Sequence, residues 1–84
     1  MKKIDFTALE VEDIEGQKQR VDIAKALGNQ LYMQGANVDE CELGRDIYRS
    51  KGEMELTDEQ AQIVLRSTKG YPYVSRHAIE LLLA

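Results

Sequence analysis

The 84-residue chain has few of the residues that form disulfides and metal sites: it contains one cysteine, one histidine and no tryptophan. A single cysteine excludes an internal disulfide and a multi-cysteine zinc site, and a single histidine excludes a two-histidine metal site. No apolar run approaches the ~20 residues that cross a bilayer. Charged residues come directly after Met1 without a long apolar segment, unlike a signal peptide. We therefore expect a cytoplasmic protein with no cofactor and no membrane association.

Composition points to a folded chain with an acidic surface. Hydrophobic residues make up 43% and charged residues 31% of the sequence, an ordinary globular mixture. The length allows one hydrophobic core, so residues 1–84 are predicted to form a single compact domain. The net charge is −4, and the scattered basic residues make nucleic-acid binding the less favoured function. The acidic clusters predict a solvated surface, with a surface that meets a basic partner or imitates a nucleic-acid backbone as the alternative.

The N-terminal part of the chain alternates between apolar and polar residues. Over residues 2–23 this pattern predicts a β-hairpin whose turn lies at Glu15-Gly16. The alternation slips near Ala8, where we expect a bulge. Residues 53–56 alternate again and are a candidate third strand of the hairpin. The strand order does not follow from the sequence.

Two helices are predicted between the hairpin and this short strand. The first begins after Asp22 as N-cap and buries a stripe of residues four apart, Ile23, Leu27 and Leu31. The second begins at Asp39, with Glu42 completing a capping box. Val38 and Leu43 then occupy the positions of a hydrophobic staple, and the buried face includes Leu43, Ile47, Cys41 and Tyr48. Each helix contains an interior glycine, Gly28 or Gly44, which predicts close backbone approach; at Gly28 either a close helix crossing or a sheet contact would account for it.

Two further helices follow the candidate strand. Thr57 and Gln60 have the spacing of a second capping box. Pro72 suits the first position of the last helix, whose apolar face is predicted to comprise Val74, Ala78, Leu81 and Leu82. Ile79 and Leu83 extend the apolar surface around the helix, so we expect burial on more than one side. The whole order predicts an α+β fold, an N-terminal hairpin packed against about four helices.

No catalytic motif is present in the sequence. Cys41 lies near a helix start, where the dipole would lower a thiol pKa, but the acidic residues around it act in the opposite direction. His77 has no nucleophile or orienting acid beside it in a known pattern. There is no glycine-rich phosphate loop, and residues 23–37 fail the pattern of a DNA-binding helix-turn-helix because Gln34 and Asn37 occupy apolar positions. We expect a protein that is not an enzyme.

The remaining candidates are interaction residues. Tyr71 and Tyr73 flank Pro72, and tyrosine is enriched at protein interfaces. Together with Arg76 they form the predicted protein-interaction site, for a partner protein or for self-association through this turn or the apolar last helix. The alternative is a nucleic-acid-associated regulator that uses Arg45, Arg49 and Lys51, the densest basic group of the chain.

Three stretches together resemble a known group of proteins. They are Val21–Lys25 running into Leu27–Asn29, then Glu42–Tyr48, then Gly52–Thr57. These stretches resemble small uncharacterised proteins of bacterial prophages and other mobile elements. The resemblance implies an accessory protein of a phage or mobile element, and it supplies no catalytic motif and no functional residue.

Overall fold

Four short strands and four helices make up the part of the chain that the structure describes. A computed structural model describes residues 2–84, which form an α+β fold with two separate two-stranded antiparallel sheets. The elements in chain order are β1 (Lys2–Ile4), β2 (Leu9–Glu12), β3 (Lys18–Val21), α1 (Ala24–Gln34), α2 (Val38–Arg49), β4 (Met54–Leu56), α3 (Asp58–Ser67) and α4 (Tyr73–Leu83). The predicted class is thereby confirmed.

The hairpin is shorter than the sequence predicts. Strands β2 and β3 pair from Leu9 opposite Val21 to Glu12 opposite Lys18. The turn is closed by the Asp13 amide, which donates to the Gln17 carbonyl at 2.9 Å, and by Gly16, whose φ of 80° suits glycine. The Asp13 carboxylate accepts hydrogen bonds from the Gln17 and Glu15 amides, and these bonds lower the pKa of Asp13. The turn lies where the sequence places it.

Strand β1 belongs to the other sheet. It pairs with β4 in an antiparallel register from Lys2 opposite Leu56 to Ile4 opposite Met54. The predicted third strand therefore exists, but it pairs with β1 and not with the β2–β3 hairpin. The phase slip near Ala8 is a turn between two strands, in which the Asp5 carboxylate accepts from the Thr7 amide at 2.9 Å.

Helices α1 and α2 pack closely through their glycines. A β-carbon on Gly28 would lie 2.6 Å from the Gly44 carbonyl oxygen, and one on Gly44 would lie 2.6 Å from the Gly28 carbonyl oxygen. Real β-carbons do not approach other atoms this closely, so the crossing requires both glycines. The predicted close approach is confirmed, and Leu27, Leu31, Leu43 and Ile47 are buried in the core beside it.

The start of α2 differs from the prediction. Asn37 is the N-cap, and its side chain accepts from the Glu40 amide at 3.0 Å, so the cap lies two residues before Asp39. Val38 is 69% exposed and forms no staple, and Tyr48 is also exposed. Glu40 is buried instead, and its carboxylate accepts hydrogen bonds from the Ala36 amide and the Arg66 guanidinium. Burial of this charge is offset by these partners.

The start of α1 also differs by one residue. Ile23 is the N-cap and makes no side-chain cap bond. The Asp22 carboxylate nevertheless accepts from the Ala24 amide at 3.0 Å, so it satisfies one of the free amides of the first turn.

Helix α3 begins with the capping box that the sequence predicts. The Thr57 hydroxyl accepts from the Gln60 amide at 3.1 Å, and the Gln60 side chain accepts from the Thr57 amide at 2.9 Å. Pro72 is the N-cap of α4, one position before the predicted one. None of the helices formed by residues 2–84 has the length and apolar character that crossing a bilayer requires.

Helix α4 buries only part of the predicted apolar surface. Ala78, Ile79 and Leu83 are buried, whereas Val74, Leu81 and Leu82 are 45%, 73% and 46% exposed. The helix is apolar on most of its circumference, so the sequence pattern does not fix which side faces the core. As a result the protein presents large apolar side chains on an outer helix face.

Candidate functional site

A cleft of about 500 Å³ runs between α4 and strands β1 and β2. One wall is α4, which contributes six residues: Tyr73, Val74, His77, Ala78, Leu81 and Leu82. These include four of the exposed large apolar side chains of the protein. An apolar helix face that opens onto a cleft is typical of a binding surface. We call this cavity the α4–β2 cleft.

The opposite wall is the edge of strand β2. Six consecutive residues, 8–13, line the cleft. Successive side chains of a strand point to opposite faces of the sheet, so a cavity over one face would meet only alternate residues. A cavity that meets consecutive residues, as this one does, reaches the main chain of the strand and not one face alone. Strand β3 occupies one edge of β2, and the other edge has no strand partner among residues 2–84.

The register shows which main-chain groups this edge presents. Residues of an antiparallel pair alternate between those that bond to the partner strand and those whose N–H and C=O point away. Asp13 bonds to Gln17 on the β3 side, so the hydrogen-bonded positions continue at Val11 and Leu9. The N–H and C=O of Glu10 and Glu12 therefore point away from β3. Among residues 2–84, β3 is the single strand partner of β2.

Acidic residues surround the cleft. Its lining contains five carboxylates and two lysines: Asp5, Glu10, Glu12, Asp13 and Glu53 against Lys3 and Lys18. The Lys18 ammonium lies 3.7 Å from the Glu10 carboxylate, with both side chains exposed. The cleft thus combines an apolar wall with a net negative rim. Such a surface favours a ligand with apolar and basic groups.

The predicted protein-interaction residues lie in different environments. Tyr73 is 66% exposed at one end of the cleft, where its ring stacks on His77 at 5.5 Å. Arg76 lies 3.7 Å from Glu80 and donates to the Lys69 carbonyl. Tyr71 is half-buried and its hydroxyl donates to the Gln30 side chain at 3.0 Å; burial raises the Tyr71 pKa. Tyr71 therefore links α1 to the turn before α4, and Tyr73 is the residue that reaches the cleft.

A second surface lies over the crossing of α1 and α2. A depression of about 330 Å³ there is lined by the two glycines and by exposed polar and aromatic residues: Asn29, Tyr32, Arg45, Tyr48 and Arg49. The Lys25 ammonium lies 4.7 Å from the centre of the Tyr48 ring, and the Arg45 guanidinium lies 5.7 Å from that of Tyr32. We call this surface the basic-aromatic face. It brings Arg45 and Arg49 together, whereas Lys51 follows the end of α2 and does not line the depression.

The two candidate reactive side chains have packing partners. The Cys41 thiol lies 3.4 Å from the Tyr32 carbonyl oxygen, to which it donates, and His77 stacks on Tyr73. No cluster of three or more potential metal ligands occurs within residues 2–84. Among residues 2–84, neither Cys41 nor His77 is hydrogen-bonded to the base or nucleophile that covalent catalysis requires.

The chain matches no protein-family model, no curated protein and no solved structure with which it was compared. The two surfaces are therefore the guide to function. The sequence pointed to Tyr73 and the last helix, but it did not indicate that β2 lines the same cleft. The only signal for the strand edge was the pair Glu10 and Glu12, whose charges are typical of an exposed edge.

Proposed function

We propose that this protein is a non-enzymatic accessory protein that binds a partner protein through the α4–β2 cleft. The observation that carries the proposal is the exposure of Val74, Leu81 and Leu82 near an edge of β2 with which no strand of residues 2–84 pairs. Exposure of contiguous apolar side chains to water is unfavourable, so burying them on binding is favourable, and such patches are typical of interaction sites. The resemblance to small proteins of prophages and mobile elements supports an accessory role in such an element.

The charge of the cleft favours a basic partner over a second copy of the chain. The rim carries five carboxylates and two lysines, and the whole chain has a net charge of −4. Two such rims brought together would repel each other, whereas lysines and arginines of a partner would find complementary charge. A stable complex would bury roughly 1,000 Å² or more, so the partner must also cover part of the neighbouring surface.

Replacing Leu81 with glutamate should abolish partner binding. The substitution places a carboxylate in the apolar wall of an already negative cleft, so capture of a partner from host lysate by the immobilised protein should fall at least tenfold. Met33→Glu is the matched control, because Leu81 and Met33 are both 73% exposed and Met33 does not line the cleft. The captured proteins are quantified by mass spectrometry.

The same pair of variants tests the identity of the occupant. A partner that is lost with Leu81→Glu, is retained with Met33→Glu and has a basic contact segment supports the proposal. Equal capture by the two variants would contradict it. Light scattering on a sizing column gives the remaining outcome. An oligomer that Leu81→Glu alone dissociates would assign the cleft to a second copy of the chain and overturn the proposal of a different partner protein.

The basic-aromatic face supports a second candidate function, binding of single-stranded nucleic acid. Exposed aromatic rings provide stacking surfaces for bases, and nearby arginines and lysines contact phosphates. Tyr32 and Tyr48 are 47% and 45% exposed, and Lys25, Arg45 and Arg49 surround them. This arrangement places three cationic side chains beside two exposed aromatic rings.

Salt dependence tests this second function. With three cations at the site, log K for a single-stranded oligonucleotide should fall with log salt at a slope of about −2. Arg49→Gln should make the slope shallower, whereas Arg20→Gln on β3 should leave it unchanged. Fluorescence anisotropy at about 20–200 mM salt, a range over which ionic screening increases strongly, measures the slope for each variant. Absence of binding at the lowest salt would remove the nucleic-acid function.

A further inference from the structure

We infer that the α4–β2 cleft takes an extended segment of its partner as a new strand along the edge of β2 opposite β3. This inference rests on the proposed function and specifies how the partner binds and what chemistry it has. The segment would alternate apolar and basic residues. Its main chain would bond to the outward N–H and C=O groups of Glu10 and Glu12.

The main-chain groups of β2 favour an added strand over other occupants. An unpaired strand edge presents donors and acceptors at the spacing that another strand requires. The register leaves the Glu10 and Glu12 main-chain groups on this edge. A helix docked in the same cleft would leave these groups without main-chain partners, whereas an added strand bonds to them directly.

The side chains on the two faces of β2 also suit an added strand. Leu9 and Val11 are buried, and Glu10 and Glu12 are exposed on the opposite face. A strand added about 4.8 Å from β2 would follow the same alternation. Its residues on the face of Leu9 and Val11 would lie beside the apolar wall of α4. Those on the other face would be neighbours of Glu10 and Glu12.

Cross-strand pairing then fixes the partner's chemistry. Oppositely charged side chains on neighbouring strands stabilise a sheet, and like charges destabilise it. Lysine or arginine beside Glu10 and Glu12 is therefore favoured. Lys18 makes such a contact with Glu10 from the β3 side, at 3.7 Å. The cleft thus suits an extended segment in which apolar residues alternate with lysine or arginine.

The test uses a fluorescent peptide of alternating lysine and valine, titrated against the full chain and followed by anisotropy. Backbone N-methylation removes a donor without changing a side chain. One peptide is methylated at its lysine amides and another at its valine amides. Only one of these two sets can point toward β2, so methylation of that set should weaken binding at least tenfold while the other set has little effect. The sensitive set also reports whether the strand adds in antiparallel or parallel orientation.

The controls separate the mode of binding from the function itself. An alternating glutamate and valine peptide should bind at least tenfold more weakly, and Leu81→Glu should lose the lysine peptide while Met33→Glu retains it. Equal effects of the two methylation patterns would overturn strand addition. Failure of the lysine peptide to bind, with partner capture still dependent on Leu81, would overturn the inference and leave the proposed function standing. Capture that is equal in the Leu81→Glu and Met33→Glu variants would overturn the proposed function itself.

Discussion

Replacing Gly44 with alanine should destabilise the protein, although the same substitution stabilises most helices. The new β-carbon would lie 2.6 Å from the Gly28 carbonyl oxygen and 2.7 Å from the Tyr32 amide nitrogen. These are backbone atoms, so α1 and α2 would have to move apart. Overpacking of this kind costs about 3 kcal/mol, and the better helix propensity of alanine recovers only about 1 kcal/mol. Urea denaturation should show a net loss of about 2 kcal/mol.

Gly52 provides the matched control for this experiment. A β-carbon at Gly52 would meet no atom within 4 Å among the described residues. Gly52→Ala should therefore leave the urea midpoint unchanged or raise it, because alanine restricts the unfolded chain by about 0.4–1 kcal/mol. Equal stability of the Gly44→Ala and Gly52→Ala variants would show that the helix crossing tolerates a wider spacing.

Replacing Phe6 with alanine should have the largest effect on stability of any single core truncation. Phe6 lies in the turn between β1 and β2 and has no exposed surface. It is the one phenylalanine of the chain. Loss of a buried ring costs about 3–5 kcal/mol, a large share of the roughly 5–15 kcal/mol that stabilises a typical domain. Thermal unfolding followed by circular dichroism measures the loss.

Ile14 serves as the control for Phe6. It is fully exposed, at 101% of its reference area, in the turn between β2 and β3, so Ile14→Ala should change the stability by less than about 0.5 kcal/mol. A loss below 1 kcal/mol for Phe6→Ala would mean that the neighbouring side chains collapse into the space that the ring leaves.

Features that depend on neighbouring residues were predictable from the sequence. The Thr57 and Gln60 capping box, the Gly16 turn and the stripe of Leu27 and Leu31 each arise within one or two helical turns or a single hairpin. Their physical causes are local hydrogen bonds and periodicity. A close approach at Gly28 and at Gly44 was also predictable, because glycine inside a helix lowers stability unless another element occupies the space beside it. That the two glycines pack against each other depends on the tertiary fold.

Features that depend on tertiary contacts were not predictable in the same way. Asn37 caps α2 in place of Asp39, two residues away, where either side chain is a good cap. The exposed side of α4 was wrongly placed because apolar residues surround most of that helix. The sequence did not determine which strand pairs with β4, since a three-residue strand has too few side chains to specify its neighbour. The candidate cleft combines the last two features, which is why the sequence identified Tyr73 but not the β2 edge.

The pairing of β1 with β4 has a consequence for the order in which the protein folds. Lys2 pairs with Leu56, whereas β2 and β3 are joined by a short turn and α1 and α2 are neighbours in sequence. Contacts between distant residues require closure of a long loop and therefore form more slowly than local ones. The β2–β3 hairpin and the α1–α2 pair can form while the ribosome is still extending the chain, but β1 must wait until β4 has been synthesised. The β1–β4 sheet is thus completed after both of these local units.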